Sequence, residues 1–138
     1  MKYIIMLYAS QQAYDAMSGK ASDRPGLSPQ DFAPMHAFME SFHKDLIESG
    51  ELADAQGLAA PVHTRRIQLQ DGVPVVTDGP FAETEEVLAG YTLVECESFD
   101  RATEIAAKIA NCPYPPDAPG RFVVDVRPIS DPTTDLEV

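Results

Sequence analysis

The chain has 138 residues, 44% of them hydrophobic, which suits a single globular core and is too apolar for a disordered segment. Twenty-two acidic against ten basic side chains give a formal net charge of −12, a field that repels phosphate backbones and anionic surfaces, so direct nucleic-acid binding is not expected. No stretch approaches the roughly 20 apolar residues of a membrane span and the apolar run 3–8 is too short for a signal-peptide core, so a cytoplasmic protein without membrane contact is expected.

Residues 3–8 are β-branched and aromatic, the composition of a first strand. Residues 9–27 are polar, carry Gly19, Pro25 and Gly26 and lack sustained periodicity, which predicts a long excursion. Ser28-Pro29-Gln30-Asp31 supplies a helix start, with Pro34 able to restart the helix a turn later. Met35, Phe38, Met39, Phe42 and Leu46 then form one apolar stripe, which ends at Gly50. A strand over 62–70, the turn pair Asp71-Gly72 and a return over 73–77 predict a hairpin, with Pro74 placing the return at an edge. Residues 91–96 read as another strand. Asp100 then acts as a cap, and Ala102, Ile105, Ala106 and Ile109 form the buried face of a second helix that Cys112-Pro113 closes. Four prolines between Pro113 and Pro119 stiffen a loop, 122–129 is the last strand, and an acidic tail follows from 130.

The order strand, helix, hairpin, strand, helix, strand in one domain predicts an α+β ferredoxin-like sandwich, with both helices on one face of an antiparallel sheet. The other face then needs a cover, for which a second copy of the chain is the simplest candidate.

The densest chemistry is Asp78-Gly79-Pro80-Phe81-Ala82-Glu83-Thr84-Glu85-Glu86. Gly79 admits positive φ, Pro80 fixes its own φ and Phe81 can anchor the turn, so the Asp78 carboxylate is held in a defined direction. It either caps its own turn or serves as an acid or base. Tyr8, Arg66, Phe81, Glu83, Glu86, Tyr91 and Arg127 are the candidate ligand-binding residues around it. Arg65 and Arg66 point to opposite faces, so at most one of them enters a cleft. His36, Glu40 and His43 share a helical stripe, but one flanking the apolar face, so they read as exposed surface and no metal site is expected. Cys96 and Cys112 lack paired spacing and read as buried thiols. No phosphate loop or nucleophile elbow is present, and no cofactor is expected.

At Asp78-Gly79-Pro80-Phe81 the chain resembles the YCII-related family, in the branch named for that Asp-Gly-Pro-Phe sequence. Ala82-Glu83-Thr84, Glu86, Gly90-Tyr91, the Tyr8 strand, Gly50, Gly57-Leu58 and Val126-Arg127-Pro128 extend the resemblance over nearly the whole chain. Glu85 departs from the usual Lys, and the Pro-rich 113–120 loop looks longer than usual. The resemblance implies a dimeric α+β barrel, built by packing two ferredoxin-like sheets face to face. It also implies association of some relatives with extracytoplasmic-function sigma factors. A His-Asp pair has been suggested as a site in the wider family, and no histidine here matches it, so Asp78 alone is carried over as catalytic. The functional expectation is a cofactor-independent dimer that binds or processes a small molecule; the alternative is a noncatalytic regulatory module in a sigma-factor system.

Overall fold

Tyr3, Ile5 and Leu7 turn one way from the first strand, β1 (Lys2–Ala9), and Ile4, Met6 and Tyr8 turn the other. The structure, a computed structural model, describes residues 1–20, 27–120 and 122–131. After β1 come α1 (Gln11–Ser18), a 3-10 turn (Pro29–Phe32), α2 (Ala33–Ser49), β2 (Leu52–Gly57), a second 3-10 turn (Pro61–His63), β3 (Arg65–Gln70), β4 (Val73–Asp78), β5 (Val87–Glu95), α3 (Phe99–Ala110) and β6 (Val124–Pro128). β1 pairs antiparallel with both β5 and β6, and β5 with β2, giving a four-stranded sheet in the order β2-β5-β1-β6. The fold is a mixed α+β arrangement with an antiparallel sheet.

The core forms on the face that Tyr3, Ile5 and Val94 share. Phe42 and Leu46 of α2 and Ala102, Ile105, Ala106 and Ile109 of α3 meet them there, all buried. Each large aliphatic side chain placed there contributes about 1.5–3 kcal/mol. The opposite face carries Ile4, Met6, Tyr91 and Leu93, half-buried and paired across the strands, with Asp54, Gln56, Asp125 and Arg127 beside them. α2 and α3 leave that face open.

Three expectations change. Residues 9–27 are not one excursion: Ser10 accepts from the Ala13 N–H at 3.1 Å and starts α1, which buries Ala13 and Ala16. Two buried alanines in eight residues are too sparse to read as a periodic stripe. The hairpin, whose first strand begins at Arg65 after a 3-10 turn, stands outside the main sheet as a two-stranded ribbon. The strand beside β5 is instead β2, Leu-Ala-Asp-Ala-Gln-Gly, which has no β-branched residue and owes its conformation to its partner. Gly90 admits that partner, since a Cβ there would lie 3.0 Å from the Gln56 carbonyl oxygen. The cap of α3 is Ser98, accepting from the Arg101 N–H, while Asp100 sits in the first turn.

As expected, Pro34 stands in the first turn of α2 and Gly50 closes it in the left-handed region at φ 78°. Asp71 and Gly72, both at positive φ, make the hairpin turn. Cys96 and Cys112 are free thiols, Cys112 buried as read and Cys96 only half-buried. The tail beyond Asp131 lies outside the described residues. No described helix is long and apolar enough to cross a membrane.

One polar clamp joins the α2–β2 connection to α3. Arg101 donates to both Glu51 carboxylate oxygens, at 2.9 and 2.7 Å, and the Ser49 hydroxyl donates to the same carboxylate at 2.9 Å. The guanidinium holds the Glu51 carboxyl down from 4.5 to about 2. A depressed folded-state pKa contributes stability above the unfolded value that is lost as pH falls through the folded one. Glu51→Gln is therefore expected to cost about 1–2 kcal/mol at pH 7. In melts taken from pH 7 to pH 2, that deficit should shrink below about pH 4.5 and vanish near pH 2.

Candidate functional site

The β1–β5 ladder slips once. Leu7 faces Gly90 and Tyr8 faces Leu88, so Ala89 is an extra residue on β5. Its carbonyl accepts from the Leu58 N–H at 2.8 Å, and the Tyr14 hydroxyl donates to the Leu58 carbonyl at 2.7 Å with the Ala89 carbonyl 3.3 Å away, tying the end of β2 and helix α1 to the bulge. Leu7 and Ala89 together border two hollows.

The larger hollow is a cleft of about 330 Å³ between α2 and the β2–β5 pair, lined by Met39, His43, Ala55, Gln56, Tyr91 and Thr92 among others. Ligand sites of small-molecule proteins begin near this size, mostly apolar with a few convergent polar groups. His43 Nε2 lies 3.1 Å from the buried Thr92 hydroxyl. Either ring nitrogen can carry the proton of the neutral ring, so Nε2 either accepts from the Thr92 hydroxyl or donates to it. Burial pushes the His43 pKa down, against a smaller upward pull from the Met39 carbonyl. The cleft thus holds an imidazole shifted toward its neutral form and engaged with Thr92.

The smaller hollow, about 120 Å³, lies between β1, α1 and the Pro-rich loop, and is bordered by Tyr8, Ser10, Met17, Met35, Glu86 and Tyr114 among others.

The predicted site residues do not converge on one point. Asp78 ends β4 at the base of the ribbon, where its carboxylate is 3.4 Å from Arg65 and both side chains are about three-quarters exposed. It borders neither hollow. Arg66, on the other ribbon face, lies over the Phe81 ring at 4.8 Å, a cation–π contact. Glu83 acts through its backbone, its carbonyl accepting from the Gln12 N–H at 3.0 Å. Gly79, at φ 55°, donates to the Thr64 carbonyl at 2.8 Å, and a Cβ there would come within 3.3 Å of the Val62 carbonyl oxygen. The Asp-Gly-Pro-Phe turn thereby closes the ribbon base and, with Glu83, braces α1. Tyr8 and Glu86 do share the smaller hollow. Burial first, then a hydrogen bond to Asp125, raises the Tyr8 pKa, while Arg127 pulls the other way. Tyr91 borders the cleft and donates to Asp54 at 2.9 Å, a bond that raises its pKa.

Sequence reasoning misjudged His43. His36 and Glu40 are exposed as expected, but His43 is half-buried and reaches the sheet. It directly follows Phe42, the centre of the buried stripe, and helical geometry carries a neighbour of the stripe onto its shoulder, where a long ring still reaches the strands. The signal was present, but no linear pattern announces a Thr hydroxyl 49 residues away.

These features define a small antiparallel α+β domain with one sheet face open and a hydrogen-bonded imidazole in a cleft under its helix layer. The YCII-related domain matches residues 1–129, and the chain belongs to that family. It is also similar, at 25% identity over 130 residues covering 94% of this chain and 93% of the relative, to an uncharacterized protein of Rhizobium meliloti (strain 1021).

Two outcomes follow. A ¹H–¹⁵N titration should place the His43 midpoint below the ordinary 6.5. Asp78→Asn should change unfolding free energy by less than about 1 kcal/mol, since an exposed ion pair contributes no more.

Proposed function

We propose that the chain is a cofactor-independent, cytoplasmic small-molecule-binding protein of the Asp-Gly-Pro-Phe branch, working as a homodimer, with the His43 cleft as its ligand site. The observation that carries this reading is His43 Nε2 at 3.1 Å from Thr92, in a cleft of ligand size. As the Nδ1–H tautomer, the neutral ring receives a proton or a hydrogen bond at Nε2 from a ligand O–H, N–H or acidic C–H, with Thr92 as the group displaced or bridged. Tyr91 and Gln56 flank the same space along their strands, with their side chains turned to the open face. If turnover occurs, His43 is the general base; this role moves there from Asp78, which stands at the ribbon base.

The strand order β2-β5-β1-β6 with crossover helices on one face fits a ferredoxin-like sandwich, and the open face supports pairing into an α+β barrel. That face is apolar at its centre, with charged Asp54, Asp125 and Arg127 beside it, the arrangement of an interface core and rim. The ribbon adds to this. Ile67 and Val76 face each other on one side of it with Leu69 and Pro74, and Ile67, Leu69 and Val76 are each more than half exposed. Two-stranded ribbons are marginal alone in water. The same ribbon is what favours the second reading, a regulatory module that presents an apolar surface to a protein such as a sigma factor.

A fragment screen read on the Met39 methyl resonance tests the cleft. Fragments that shift it in the wild type should lose at least about tenfold in affinity in His43→Phe and be unaffected by Asp78→Asn. If no fragment moves Met39, the cleft is not a ligand site. Light scattering at micromolar concentration should give about twice the 15.0 kDa chain mass, and a stable monomer would favour the regulatory reading.

A further inference from the structure

The smaller hollow is walled mostly by Leu7, Ala13, Met17, Met35, Ala89 and Phe122, so water gains few partners inside it. Its polar neighbours are already engaged, with one exception. The Ser10 oxygen accepts from Ala13 N–H as the cap of α1. The Tyr114 hydroxyl donates to the Pro119 carbonyl at 2.8 Å. The Tyr8 hydroxyl donates to Met6 Sδ at 3.8 Å. Glu86 remains: its carboxylate lies over Gly120, where a Cβ would be 3.6–3.7 Å from it, and it takes part in no hydrogen bond or ion pair among the described residues.

We infer that this hollow is a binding site for a compact hydrophobic amine, its apolar body seated among Met17, Met35 and Phe122 and its ammonium group on Glu86 at the rim. The volume decides the size class. A dry apolar cavity of roughly 150 Å³ takes one benzene ring, and about 120 Å³ with an opening at Glu86 takes a single ring or a short branched chain whose amine projects outward. The charge decides the head group. Among the described residues no cation pairs with this carboxylate, so an ammonium supplies a counter-charge, whereas a carboxylate ligand meets repulsion there. A net charge of −12 adds a long-range field that concentrates cations and repels anions. Gly120, at φ 86°, keeps this rim open by having no side chain. The site is independent of the His43 cleft: Met17 and Met35 border one hollow and Met39 the other.

That division supplies the test. Full-length protein labelled at its methionine methyls is titrated separately with benzylamine, benzyl alcohol and benzoate. Benzylamine should shift the Met17 and Met35 methyls and leave Met39 unmoved, bind about tenfold tighter than benzyl alcohol, and weaken as salt rises; benzoate should not bind. Glu86→Gln, whose fold is checked by its melt, should bring benzylamine down to the affinity of benzyl alcohol and leave the alcohol unchanged. The inference fails if no probe moves Met17 or Met35, if the shifts fall on Met39, if amine and alcohol bind alike in the wild type, or if Glu86→Gln keeps the preference. A failure confined to Met17 and Met35 leaves the cleft reading intact, because that reading is scored on Met39.

Discussion

The extra residue on β5 is the constraint on which the rest of the molecule turns. Ala89 bulges out of the β1–β5 ladder while its carbonyl continues the β2 pairing by taking Leu58 N–H, and the Tyr14 hydroxyl of α1 donates to the Leu58 carbonyl at 2.7 Å beside it. Two neighbouring backbone carbonyls thus tie an edge strand and a short helix to the centre of the sheet. The two hollows lie on either side of this junction, sharing Leu7 and Ala89.

The turn that dominates the sequence serves the same junction from outside. Gly79 and Thr64 close the ribbon base, Arg66 covers Phe81, and the Glu83 carbonyl satisfies the Gln12 N–H, one of the donors that a helix leaves unpaired in its first turn. A second tie runs from the Gln11 side chain to the Val62 N–H at 2.8 Å. In the single chain the chemistry of this motif is mechanical: a left-handed glycine, a fixed proline and an aromatic anchor position a carbonyl. The carboxylate of Asp78 is left at the surface with Arg65.

The polar and apolar surfaces are segregated in a way that composition conceals. Acidic residues account for the strong negative charge, yet the open sheet face and one side of the ribbon are apolar at their centres. Long-range repulsion between copies and short-range apolar attraction therefore act on different parts of the same molecule, and salt shifts the balance between them.

The sequence by itself determined the α+β class, the α2 stripe from Met35 to Leu46 with its Gly50 stop, the Asp71-Gly72 hairpin turn and the buried face of α3. Each of these is written in local periodicity or in the φ requirement of a turn, which neighbouring residues settle among themselves. Only the tertiary structure decided that residues 52–57 are a strand, because nothing in that stretch favours extension until β5 offers hydrogen bonds to it. The tertiary structure also detached the hairpin from the sheet, set Asp78 apart from both hollows, and brought His43 to Thr92. A side chain's partner across 49 residues is a property of packing, and a pattern read along the chain has no term for it.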